Sequence, residues 1–146
     1  TTTQGDCSPP QCREPRGVKA RADDVVVAAG LTQFDLVSDS VTVSRMPRSM
    51  EVILGPGVHA ITLGSSIFVA PDRYEAVVEG SEPELIAHEL VHVEQWRRHG
   101  KLGFLSRYLS DYVRLRILGL THAQAYHGIG FEHMAFKESK RMVEIL

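Results

Sequence analysis

Cysteine is scarce in this chain, with two among 146 residues. That excludes a disulfide-dense scaffold. Cys7 and Cys12 stand in Asp6-Cys7-Ser8-Pro9-Pro10-Gln11-Cys12, with no neighbouring Cys or His to complete a set of about four metal ligands. They read as a small loop disulfide or as free thiols. No apolar run approaches the roughly 18 residues of a membrane helix, so no transmembrane segment is expected. The first residues are polar and hold no apolar h-region, so no signal peptide is expected in this chain. Together these readings anticipate a soluble protein, with its compartment unreadable. An excess of one charge is missing too: 16 Lys+Arg stand against 18 Asp+Glu, for a net charge of -2. Nothing in that balance pulls the whole chain toward nucleic acid or an anionic membrane.

What is present is an ordinary globular composition, 43% apolar and 23% charged. The length suits one domain with a real core. Residues 1–23 are rich in Thr, Pro, Arg and Asp without hydrophobic period, and read as an arm ahead of a single domain over 24–146. Val25-Val26-Val27 and Val41-Thr42-Val43 look like β-branched strand segments. Met50 to Leu54 precedes the Gly55-Pro56-Gly57 turn. Val58 to Leu63, the turn at Gly64-Ser65-Ser66 and Ile67 to Ala70 make a hairpin.

After Asp72 the pattern turns helical. Ser81-Glu82-Pro83-Glu84 fits a capping box with Ser81 as N-cap. Leu85, Ile86, Leu90, Val93 and Trp96 recur at helical spacing, and Gly100 offers a stop, so a helix is expected over about 84–99. Further helices are expected over 102–118, after a cap at Thr121, and from near Phe131. Strands followed by helices give an α+β fold: a small antiparallel sheet or hairpin, then a motif-bearing helix and a helical C-terminal half.

His88-Glu89-Leu90-Val91-His92 is an H-E-x-x-H sequence on that helix. Residues four apart share a face, so both imidazoles can reach one metal ion. Glu89 lies about 100° round the helix, placed to handle an activated water rather than the ion. That division of labour suits metal-assisted hydrolysis, with the carboxylate moving the proton. A catalytic zinc site takes a third protein ligand and keeps one position open. His122, His127, His133, Glu94, Asp111, Glu132 and Glu138 are candidates. His99 suits the helix C-terminal dipole better, and Glu94 points away from the two histidines. Glu132 sits among Phe131, Met134, Ala135 and Phe136, where an unpaired charge is costly; as a first-turn residue it would also favour a helix dipole.

His88-Glu-Leu-Val-His92, Gln95-Trp96, Gly100, the Phe104-Leu-x-x-Tyr108-Leu run, Ala125-Tyr126 and Phe131-Glu132-x-x-Ala135 together resemble the small bacterial gluzincin-type metallopeptidases, or minigluzincins. The resemblance spans roughly residues 50–136 and implies a zincin-like domain. It implies one zinc ion held by His88, His92 and Glu132, with Glu89 as general base and acid. It implies that an edge strand within 58–70 pairs with an extended peptide or flexible protein substrate. Phe136 stands where relatives often carry an acid, Gly130 where many carry Pro, and Met134 where an acid is often seen. Tyr126, His127 and His133 are the nearest candidates to stabilise an oxyanion, with Tyr126 equally suited to the core. The segment from Lys137 to Leu146 is near enough to Glu132 to close the open position, which would make a latent enzyme. The alternative is an inactive or structural metal-binding module that recognises a protein partner. Arg97, Arg98, Lys101, Arg107, Arg114 and Arg116 read as a solvated basic face, since no nucleic-acid motif accompanies them.

Overall fold

A computed structural model describes residues 19–31, 33 and 38–145. Cys7, Cys12 and most of the anticipated arm lie outside the described residues. In chain order the elements are β1 (Ala20–Arg21), α1 (Ala22–Ala28), β2 (Thr42–Arg45), α2 (Arg48–Leu54), β3 (Ala60–Leu63) and β4 (Ser66–Val69). Then come α3 (Pro71–Val78), α4 (Pro83–Ile117), α5 (His122–Gly128) and α6 (Gly130–Val143). The α+β architecture is as expected, a four-stranded sheet followed by a helical C-terminal half.

The sheet runs β1-β2-β4-β3. The β3–β4 hairpin is antiparallel, with Thr62 opposite Ile67. β2 and β4 pair in parallel, Val43 beside Ile67, so the sheet is mixed rather than wholly antiparallel. The reason is connectivity: the chain leaves β2 through α2, lays down β3 one position out, and returns with β4 between them. β3 is thereby an edge strand.

Three local expectations need correction. Val25-Val26-Val27 lies in α1. Val25 and Val26 are fully buried while Val27 is 69% exposed; in a strand Val25 and Val27 would share a face. Buried Ala22, Val25, Val26 and Ala29 trace i, i+3, i+4, i+7, a helical period that outweighs the β propensity of valine. Asp23 and Asp24 in the first turn suit the helix dipole. Met50 to Leu54 is likewise helical, within α2. The arm gives way before residue 23, because Ala20 and Arg21 pair with Val43 and Thr42. Ser81 does not cap α4: the N-cap is Glu82, without a side-chain cap bond. The Ser81 N–H instead donates to the Ala76 carbonyl, so this residue closes α3.

Other signals translate directly. The Thr121–Gln124 capping box is formed in both directions. α4 breaks at Gly100, where φ is 68° and ψ 169°, and helix resumes at once. The main core joins α1, β2, β4, α3 and the first half of α4, with Ala135 of α6. A second cluster gathers Trp96, Phe104, Ile129 and Phe131. Val26→Ala is expected to cost about 2 kcal/mol of stability as a buried truncation. Val27→Ala should change it by only a few tenths, in the stabilising direction. Urea unfolding of both variants checks the helical assignment; equal losses would contradict it.

Candidate metal centre

The first half of α4 carries His88, Glu89, His92 and Gln95, all buried. α6 supplies Glu132 in its first turn, 3% exposed. His88 Nε2 stands 3.1 Å from Glu132 Oε2 and 3.1 Å from His92 Nε2. His92 Nε2 is 3.3 Å from Glu132 Oε2. These three residues form a group able to hold a metal ion.

The other candidates are engaged elsewhere. Glu94 pairs with Arg98 and Glu138 with Arg141. Asp111 accepts from the Gly130 N–H. His122 bonds the Tyr112 hydroxyl, and the His99 ring lies against Phe131. His127 contacts Phe136, and His133 is exposed. Of the C-terminal segment, Met142 and Val143 pack on the main core. Phe136, just before that segment, is what reaches a ligand: its ring centre lies 4.5 Å from that of His88.

The surroundings fix the chemistry of the donors. Gln95 Nε2 donates to the Phe131 carbonyl at 3.1 Å, so its Oε1 is the end that faces His92 Nδ1 at 2.9 Å. A carbonyl oxygen only accepts, so His92 carries a proton on Nδ1, which leaves Nε2, facing the triad, to hold either a second proton or a metal ion. The Tyr108 hydroxyl donates to Glu132 Oε1 at 2.9 Å. Tyr126, an oxyanion or core candidate, is half-buried close enough to the same carboxylate to feel its charge. Burial and then the Glu132 charge push both phenols well above their ordinary range, which keeps them protonated donors. Burial alone would raise the Glu132 carboxyl. Hydrogen bonds from His88 and His92, and their charge, outweigh it and hold the group far below the usual carboxylate range.

Burial lowers His92, but Glu132 more than compensates and the net shift is upward. Glu89 is raised, chiefly by burial, against the opposing pull of His92, Thr62 and His88. The Thr62 hydroxyl on β3 donates to Glu89 Oε2 at 2.6 Å, which ties the edge strand to this carboxylate.

The donor set fits a small divalent ion. Tetrahedral bonds of about 2.0–2.2 Å separate ligand atoms by about 3.3–3.6 Å, close to the observed triangle. Two imidazoles and a carboxylate are borderline donors that suit zinc among the first-row ions. His88 Nδ1, by contrast with that of His92, is buried without a partner.

Tyr108, Gln95 and Thr62 carry roles that the sequence did not reveal. Tyr108 reads as one more position of an apolar stripe, and only its hydroxyl separates it from Phe. The signal for Gln95 is a polar residue three after His92, on the motif-bearing face. Among the six basic residues of α4, Arg97 donates to the Asp39 carbonyl and Arg116 to that of Leu120. Arg98 pairs with Glu94, and Arg107 lies over the Phe131 ring.

Fold and site thus define a small α+β protein with a buried His-His-Glu group suited to a metal ion. A family model described as eCIS core domain, where eCIS stands for extracellular contractile injection system, matches residues 21–100. That is more than half of the chain, which therefore belongs to the eCIS core domain family. The match brings no metallopeptidase assignment with it. No curated protein and no solved structure matches the chain. No helix among the described residues is long and apolar enough to cross a membrane.

Gln95→Leu strips the orienting bond from His92 and is expected to weaken zinc binding about 10- to 100-fold, read by competition with a chelating indicator. Arg98→Ala, on the exposed side of the same helix, should leave it unchanged. Gly100→Ala, which opposes a backbone conformation reserved for glycine, should cost about 1–3 kcal/mol and weaken zinc binding as well.

Proposed function

We propose that the chain is a zinc-dependent peptidase, with His88, His92 and Glu132 holding the ion and Glu89 serving as general base and acid. The observation that carries this reading is the triangle of three donor atoms, 3.1 to 3.3 Å on a side, with a buried carboxylate next in sequence to one of them. When bound, zinc supplies a Lewis acid that polarises a carbonyl and makes water more acidic. Glu89 accepts a proton from the attacking water and returns it to the leaving amine. The free side of β3 offers main-chain donors and acceptors to an extended substrate. Thr62 connects that strand to Glu89. The family's name points to an assembly of proteins, which supports a protein as substrate or partner.

One observation favours a second reading. His88, Glu89, His92 and Glu132 are each no more than 8% exposed, and Phe136 covers His88. A closed centre of this kind suits an ion that staples a partner-recognising module, or an enzyme held latent.

Elemental analysis should find about one zinc per chain, lost in both His92→Ala and Glu132→Ala. Glu89→Gln should keep the zinc and lose at least about a hundredfold in hydrolysis of an unfolded protein such as casein. Zinc binding without hydrolysis in the wild type would favour the second reading. No zinc after reconstitution would end both.

A further inference from the structure

A cleft of about 460 Å³ opens beside the triad, lined by His127, His133, Phe136, Lys137 and Lys140. We propose that it is a subsite for a peptide carboxylate, so that the molecule takes acidic peptides; this rests on the peptidase reading above.

Three observations carry the assignment. The first is position. Phe136 is shared between cleft and metal centre, its ring centre 4.5 Å from that of His88 and 5.2 Å from that of His127. One aromatic ring therefore separates the cleft from a metal ligand. A side chain flanking a peptide bond held at the triad spans about that distance. The second is charge. No acidic residue lines the cleft, although the chain as a whole carries a net -2. The basic character is local. His133, Lys137 and Lys140 stand at i, i+4 and i+7 on α6, which puts them on one helix face. The third is pairing. Neither Lys137 nor Lys140 has an ion-pair partner among the described residues. The nearest acid in sequence, Glu138, turns instead to Arg141. Two ammonium groups lining one cleft can take both oxygens of a carboxylate. The Phe136 ring in the same lining favours the methylenes that carry it. The carboxylate could belong to an Asp or Glu side chain or to a peptide C-terminus. Both present the same group.

The test uses the full chain as Glu89→Gln, loaded with zinc, and three fluorescein-labelled pentapeptides. One is C-terminally amidated with a central Glu, the second amidated with a central Gln, and the third has the central Gln with a free C-terminal carboxylate. Anisotropy titrations should show an acidic peptide binding about five- to tenfold more tightly than the amidated Gln peptide. Which acidic peptide gains identifies the source of the carboxylate. Adding Lys137→Ala and Lys140→Ala together should erase the difference, with circular dichroism and zinc content unchanged. Three peptides alike within about twofold, a preference that survives loss of both lysines, or no saturable binding of any of them would each overturn the subsite. Hydrolysis of the same peptides by the wild-type chain is scored separately. Preference without hydrolysis defeats the peptidase reading alone, and hydrolysis without preference defeats the subsite alone.

Discussion

A carboxylate buried to 3% exposure sets the terms for the rest of this molecule. Left unpaired, Glu132 would cost several kcal/mol, more than a domain of this size can readily absorb. Its oxygens are accordingly surrounded: His88 and His92 at one, Tyr108 at the other. Tyr108 is a neutral donor, so it solvates the charge without cancelling it. Cancellation falls to the imidazole side. There Gln95 has committed one His92 proton to Nδ1, so that Nε2 is the atom that faces both His88 and Glu132. Two ring nitrogens and a carboxylate oxygen converge on a space that calls for positive charge. A proton can supply it, and so can a metal ion. The arrangement is ordered before either arrives, because Gln95 is itself held by the Phe131 carbonyl.

Bringing these groups together depends on a break in α4. His92 and Tyr108 are sixteen residues apart, which along a straight helix is about 24 Å. Both nevertheless touch Glu132. Trp96 and Phe104 would stand about 12 Å apart along the same axis, yet their rings stack with centres 4.5 Å apart. Gly100 supplies the turn, in a backbone conformation that other residues adopt only under strain. The aromatic stack Trp96–Phe104–Phe131 then fills the angle between the two halves of α4 and the start of α6. This second cluster is the brace that holds Glu132 against the two histidines.

The sequence announced the motif-bearing half of this site far better than the supporting half. H-E-x-x-H needs only the helical period to place two imidazoles on one face. The break after His99 was signalled by Gly100. Glu132 emerged from resemblance to a family; the residues themselves left seven candidates open. A ligand 44 positions from His88 is brought in by tertiary packing, and no local period encodes that. Gln95 and Tyr108 were visible as letters but not as partners, since periodicity gives a face and says nothing of what a terminal amide or hydroxyl meets. At Val25-Val26-Val27 the β propensity of valine conflicts with the helical spacing of Ala22, Val25, Val26 and Ala29, and burial follows the spacing.

The family match ends at residue 100, and the site does not. Residues 21–100 hold both imidazoles, Glu89, Gln95 and the edge strand with Thr62. Glu132 and Tyr108, which donates to it, come from the part beyond. The boundary falls at the helix break, where the chain turns back toward the face that carries the two histidines. Across it run the Gln95–Phe131 hydrogen bond and the aromatic stack, and these make the two parts one centre. Two histidines one turn apart bind an ion weakly and leave several positions to water. Adding a negatively charged third donor raises affinity and fixes geometry together. The C-terminal half therefore decides whether the matched region's helix is a bidentate surface pair or a closed three-donor site. It also contributes the Lys137–Lys140 face, so the third donor of the buried group and the basic cleft beside it come from the same half of the chain.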